Sequence, residues 1–66
     1  MEIRVNSKLR KLDCGMSVAE LLRADGVPSA GTAVAVNGKI VRRTEWEARL
    51  VCEGDDIIII QAAYGG

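Results

Sequence analysis

The segment TAVAVNGKIV, residues 32–41, contains the clearest structural signal in this chain. Its centre is Asn37-Gly38, a pair that favours the type I′ turn of a two-residue β-hairpin. Apolar, mostly β-branched residues stand on both sides of the pair. The segment therefore predicts two antiparallel strands, Thr32–Val36 and Lys39–Val41, joined by the tightest common turn.

The N-terminal residues predict a second hairpin. Met1–Val5 alternates between apolar and polar side chains, with Ile3 and Val5 on one face, as in a half-buried strand. Asn6-Ser7-Lys8 is a turn, and Leu9–Leu12 returns as the second strand.

A helix is predicted between the two hairpins. Ser17 and Glu20 have the spacing of a capping box, in which each side chain accepts a hydrogen bond from the other residue's backbone N–H. Gly26 is suited to end the helix in a left-handed conformation, and Pro28 prevents continuation. The apolar residues that share one side of the helix are Val18, Leu21 and Leu22.

The rest of the chain predicts one more strand and a tail. Residues 42–49 form a charged stretch with a short helical turn, and Trp46 within it is expected in the core. A turn at 54–56 precedes the last strand, Ile57–Gln61. Ala62–Gly66 has no strand or helix pattern, so we expect a globular domain over 1–61 and a flexible Gly-Gly tail over 62–66.

This order of elements predicts the α+β class. One helix lying across one face of a mixed sheet of about five strands buries that face. If the first and last strands pair in parallel at the centre, the fold is a ubiquitin-like β-grasp. The run Ile57-Ile58-Ile59-Ile60 supports that pairing, because such runs suit a central strand with both faces covered.

Composition excludes several classes of function. The chain has 66 residues and a formal net charge of zero, which supports neither nucleic-acid nor anionic-membrane binding. Its longest apolar run is too short to cross a bilayer, and no signal-peptide pattern is present, so the cytoplasm is expected. In that reducing compartment Cys14 and Cys52 are expected to be small buried or half-buried residues.

The chain also lacks most catalytic side-chain patterns. It has no histidine, so the commonest general base and a common metal ligand are missing. No Cys/His/Asp cluster has metal-ligand spacing, and no glycine-rich phosphate loop is present. We therefore expect a protein that is not an enzyme and binds no cofactor of its own.

Several of these features together resemble one family. They are the segment 36–43, Trp46, the Gly54-Asp55 turn and the isoleucine run ahead of Gly65-Gly66, and Asn6 also fits. This pattern is similar to that of the thiamin-biosynthesis sulfur carriers, the ThiS family, and it covers the whole chain.

The resemblance implies a function for the last residue. An E1-like activating enzyme would use ATP and magnesium to adenylate the Gly66 carboxylate. Sulfur from a donor such as a cysteine desulfurase would replace the adenylate and leave a thiocarboxylate. Thiazole synthase would receive that sulfur, so the carrier would be a co-substrate of its partner enzymes.

The tail has properties that suit this role. Gly65 and Gly66 lack side chains and could enter a narrow channel, and Tyr64 could anchor the tail in a partner pocket. Residues 62–66 could reach roughly 17 Å when extended. Ordering them costs about 1–2 kcal/mol per residue, so the partner must also dock on the globular body.

The last strand offers a docking surface. Ile57 and Ile59 are assigned inward by analogy with ubiquitin, which turns Ile58 and Ile60 outward, and Ala35 on the neighbouring strand can join them. Arg42, Arg43 and Arg49 could meet an acidic partner surface, but a solvated face is the commoner explanation for such residues.

Four alternatives stay open. The small subunit of molybdopterin synthase shares the fold and the Gly-Gly end, but it is usually longer and tends to have prolines before the glycines. Another thiocarboxylate sulfur carrier would serve a different pathway. A ubiquitin-like modifier would join Gly66 to a lysine of a target. A plain β-grasp interaction domain would have an inert tail.

Overall fold

The computed structural model describes residues 1–13 and 15–61. Cys14 and residues 62–66 lie outside the described residues. The described elements, in chain order, are β1 Glu2–Val5, β2 Lys8–Lys11, α1 Val18–Ala24, β3 Thr32–Val36, β4 Lys39–Val41, a 3₁₀ turn at Arg43–Glu45, and β5 Asp56–Gln61.

The strands form one sheet in the order β2-β1-β5-β3-β4. β1 pairs in parallel with β5, whereas the pairs β1–β2, β3–β4 and β3–β5 are antiparallel. The predicted mixed five-stranded β-grasp, with the first and last strands adjacent at the centre, is therefore confirmed. The division into a 1–61 domain and a tail stays a prediction.

The Asn37-Gly38 turn has the predicted conformation. Its residues have φ angles of 52° and 81°, both in the left-handed region that a type I′ turn requires. Val36 and Lys39 face each other across the turn, and the strand bounds on both sides match the prediction.

Helix α1 begins and ends by the predicted signals. The backbone N–H of Ser17 donates to Glu20 Oε1, and the N–H of Glu20 donates to Ser17 Oγ, each at 3.1 Å. At the other end Gly26 has φ 68°. The N–H groups of Gly26 and Val27 return to the carbonyls of Arg23 and Leu22, which is a Schellman motif.

The core lies between α1 and one face of the sheet. Trp46 is only 4% exposed, and its indole N–H donates to the carbonyl of Val41 at 3.0 Å, as expected for a core aromatic residue. Ile59 packs against the same cluster from a half-buried position. The buried apolar residues are Ile3, Val18, Ala19, Leu21, Leu22, Val34, Val36, Trp46, Val51 and Ile57.

Two expectations about burial are wrong. The isoleucine run predicts a strand covered on both faces, but Ile60 is 59% exposed because the helix covers only one face of the sheet. Cys52 is exposed rather than buried or half-buried, because it lies in the loop before β5.

No helix within residues 1–13 and 15–61 is long and apolar enough to cross a membrane.

An ion pair ties the end of the helix to the sheet edge. The Arg10 guanidinium on β2 donates to both carboxylate oxygens of Asp25, the C-cap residue of α1. This hydrogen bonding lowers the pKa of Asp25 and raises that of Arg10. Both side chains are partly solvated, so the pair orients the helix more than it stabilises the fold.

The two sides of β5 predict opposite mutational responses. Ile57→Ala empties a fully buried site and should lower the free energy of unfolding by about 2–5 kcal/mol. Ile60→Ala removes an exposed side chain and should change it by no more than about 0.5 kcal/mol. Urea denaturation followed by Trp46 fluorescence measures both, and equal costs would contradict this assignment of faces.

Candidate functional site

The outer face of the sheet, opposite the helix, carries an apolar patch. Strand alternation turns Ile58 and Ile60 to this face, and Ile57 and Ile59 to the core. Ile58 lies directly opposite Ala35 on β3, so the structure brings together the three residues predicted for docking.

Ile40 is a member of this patch that the sequence reading missed. It pairs with Ala35 on the side away from Ile58, and it is 71% exposed. Ile40, Ala35 and Ile58 therefore form one row across β4, β3 and β5, with Ala33 and Ile60 in the row beside it. We call these five residues the outer patch. The two-residue turn fixes the Ala35–Ile40 pairing, so this member could have been found from the sequence.

Three exposed basic residues lie in or directly after the strand of Ile40, and they are Lys39, Arg42 and Arg43. Lys39 pairs with the core residue Val36, so strand alternation turns it away from the outer patch. None of the three forms an ion pair within the described part of the chain. Arg49 does not belong to a solvated face, because its guanidinium lies 3.6 Å from the buried carboxylate of Asp55 and forms an ion pair with it.

Asn6 holds the C-terminal half of β5. β1 ends at Val5, and Asn6 has φ 51°, a left-handed angle that turns the chain away from the sheet. Its side-chain Oδ1 nevertheless accepts a hydrogen bond of 2.7 Å from the N–H of Ile59. The backbone N–H of Asn6 donates to the carbonyl of Ile57 at 2.8 Å. One residue thus supports β5 where main-chain pairing with β1 stops.

The remaining predicted site residues follow β5 in the chain. Gly66, Gly65 and Tyr64 lie outside the described residues. The last described residue, Gln61, ends β5 and pairs with Thr32. The ordered sheet therefore reaches to five residues from the C-terminal carboxylate.

A polar cluster fixes the opposite end of β5. Asp55 is only 6% exposed, and its carboxylate accepts from the Asn37 side-chain amide at 2.9 Å and from the Cys52 N–H at 2.8 Å. Asn37 Oδ1 in turn accepts from the Asp56 N–H at 2.9 Å. The sequence reading took both segments only as turns, and no local pattern would have joined them.

The described residues contain no group of three or more His, Cys, Asp or Glu side chains that could hold a metal ion. What the described geometry offers is a surface for contact with another protein, next to the strand that leads to the chain end.

Comparison with known proteins gives consistent matches over the full chain. The family model described as the ThiS family matches residues 3–66. The Sulfur carrier protein ThiS of Escherichia coli (strain K12) is 36% identical over 66 residues, which is 100% of both chains.

Two solved structures of a thiamine biosynthesis protein from Geobacter metallireducens are also similar. The crystal structure, described as ThiS, has a TM-score of 0.85 at 32% identity and covers 100% of both chains. The solution structure has a TM-score of 0.82 at 32% identity and covers 100% of this chain and 88% of the other.

The role of Asn6 can be tested by removing its side-chain acceptor. Asn6→Ala removes the partner of the Ile59 N–H and also strains the left-handed backbone at this position, so it should destabilise the protein by about 2 kcal/mol. The backbone amide of Ile59 should then exchange with solvent faster than in the wild type. Asn6→Asp is the matched control, since it keeps an acceptor oxygen and tolerates the left-handed angle. Equal protection of Ile59 in both variants, measured by NMR hydrogen exchange, would contradict this role.

Proposed function

Because the chain belongs to the ThiS family, we propose that it is the sulfur carrier for the thiazole part of thiamin, with the Gly66 carboxylate as its reactive group. The proposed partners are an E1-like adenylating enzyme, a sulfur donor such as a cysteine desulfurase, and thiazole synthase, all in the cytoplasm. The observation that carries the proposal is the full-length match, which extends to the terminal Gly65-Gly66.

The chemistry explains why a carrier needs ATP but no side chain of its own. A carboxylate is a poor acyl donor, because its oxygen is a poor leaving group. Transfer of the AMP group of ATP to Gly66 releases pyrophosphate and forms an acyl-adenylate, and magnesium on the activating enzyme would offset the phosphate charge. A sulfide-level nucleophile then attacks the carbonyl carbon, AMP leaves as the carbon–oxygen bond breaks, and a thiocarboxylate results. If the donor is a persulfide, the first product is an acyl disulfide, and a thiol must reduce its S–S bond to release the thiocarboxylate.

The outer patch supports the docking half of the proposal. Ile58, Ile60 and Ala35 are the proposed docking residues, and Ile40 extends the same surface. An exposed apolar surface loses contact with water when a partner covers it, and this gain offsets the cost of ordering the tail. In this proposal Tyr64 and Gly65 enter the partner's channel ahead of Gly66.

The first experiment tests Gly66. The protein is incubated with ATP, magnesium, a sulfur source and a candidate activating enzyme, and its intact mass is measured. We expect a product in which one oxygen is replaced by sulfur. Deletion of Gly66 should abolish that product, because it withdraws the reacting carboxylate by about 3.5 Å. The deletion should leave the unfolding transition unchanged.

Three results would contradict the carrier function. A mass gain that persists without Gly66 would mean that the modification lies elsewhere. Recovery of Gly66 in covalent adducts with many proteins would instead support a ubiquitin-like modifier. If no product forms with any activating enzyme, the tail is inert and the domain has a different role.

The second experiment tests the outer patch. Ile60→Asp should weaken binding to the activating enzyme by roughly 30-fold or more, the effect of losing about 2 kcal/mol at a hot spot. Leu50→Asp is the matched control, because Leu50 is 60% exposed but lies outside the outer patch. Isothermal titration calorimetry measures both, and equal weakening would exclude the outer patch as the specific docking face.

A further inference from the structure

The Asn37-Gly38 turn is chemically labile as well as structurally important. A backbone nitrogen can attack the side-chain carbonyl carbon of a preceding asparagine, and glycine allows this most readily because no Cβ hinders the approach. Asn37 is an exposed residue, so water can reach the site. An unrestrained Asn-Gly pair at this position would therefore lose its side-chain amide over time.

The fold restrains both polar atoms of that side chain. Asn37 Nδ2 donates to Asp55 Oδ1 at 2.9 Å, and Asn37 Oδ1 accepts from the Asp56 N–H at 2.9 Å. The backbone N–H of Asn37 adds a third bond, to the carbonyl of Asp56 at 2.8 Å. These bonds direct the side chain toward β5. Its carbonyl carbon cannot turn toward the nitrogen of Gly38 unless the two side-chain bonds break first.

We propose that Asn37 is a deamidation site that the native fold keeps closed through Asp55 and Asp56, and that opens when the β3–β4 hairpin separates from β5. The Gly38 nitrogen loses its proton and bonds to Cγ of Asn37. The bond from Cγ to Nδ2 breaks, and the amide leaves as ammonia with that proton. Water then opens the cyclic imide at either carbonyl, which gives aspartate or isoaspartate.

Both products are incompatible with the closed turn. Aspartate at this position cannot donate to Asp55, and it puts a second carboxylate about 3 Å from one that is only 6% exposed. Isoaspartate adds a carbon to the main chain of a two-residue turn and so disturbs the Val36–Lys39 register. A molecule that has reacted would not close again, and the Ala35–Ile40 row of the outer patch would be lost with the turn.

Comparison of deamidation rates separates local restraint from global unfolding. Three proteins are incubated in native buffer: the wild type, Asp55→Ala and a core variant. The core variant is whichever of Ile3→Val and Ile3→Ala has the free energy of unfolding closer to that of Asp55→Ala. Wild type is also incubated in denaturant. Peptide mass spectrometry measures acid and isoaspartate at position 37. We expect Asp55→Ala to react about tenfold faster than the matched core variant, equivalent to about 1.4 kcal/mol.

Two outcomes would overturn the proposal. Equal rates in Asp55→Ala and the core variant would show that global unfolding alone controls the reaction. A native wild-type rate equal to that in denaturant would show that the fold gives no protection. If Asp55→Ala does not fold, the proposal is tested instead by NMR measurement of how fast the Asn37 side-chain amide protons of the wild type exchange with solvent. Slow exchange supports the restraint, and exchange at the rate of a free amide excludes it.

Discussion

The register between β3 and its two neighbours is the constraint on which the rest of the sheet depends. The two-residue turn sets Val36 against Lys39, and the bonds from Asn37 to Asp55 and Asp56 set Val36 against Ile57. Since successive side chains alternate between faces, a slip of one residue would turn every core residue of a strand to solvent. One asparagine therefore links three strands: it forms the turn between β3 and β4, and its side chain and backbone N–H both bond to the start of β5.

This register divides the sheet into two unequal faces. The inner face packs Val34, Val36 and Ile57 under the helix and accounts for most of the hydrophobic stabilisation. The outer face leaves Ile40 and Ile60 largely in water, although a domain of this size has little apolar surface to spare. Exposed isoleucines add nothing to the isolated fold, and their presence is explained if a partner covers them during sulfur transfer.

The sequence predicted what depends on neighbours along the chain. The capping box, the Gly26 helix end, the β3 and β4 bounds and the Asn37-Gly38 turn are local patterns, and the structure has all of them. The parallel pairing of β1 with β5 was a hypothesis that rested on the isoleucine run, and the structure has this pairing although only one face of the run is covered.

What the sequence did not predict depends on contacts between distant residues. Asn6 and Ile59 are 53 positions apart, and Asn37 and Asp55 are 18 apart, so no periodicity or spacing links them. The burial of Asp55 has the same origin, because a Gly-Asp turn is normally exposed. Ile40 is a different kind of omission, since the hairpin register already fixed its position opposite Ala35.

The end of β5 connects the fold to the proposed chemistry. When the globular domain docks on a partner, the distance from the docking surface to the end of the last strand affects how often the carboxylate reaches the active site. Each additional flexible residue between them lowers the effective concentration of the carboxylate there. Ile60 lies in the outer patch, and its neighbour Ile59 is held by Asn6 beyond the end of β1. The side chain of Asn6 thus extends the ordered strand into the docking surface itself. In the proposed transfer, β5 therefore ends five residues before the reacting carboxylate of Gly66.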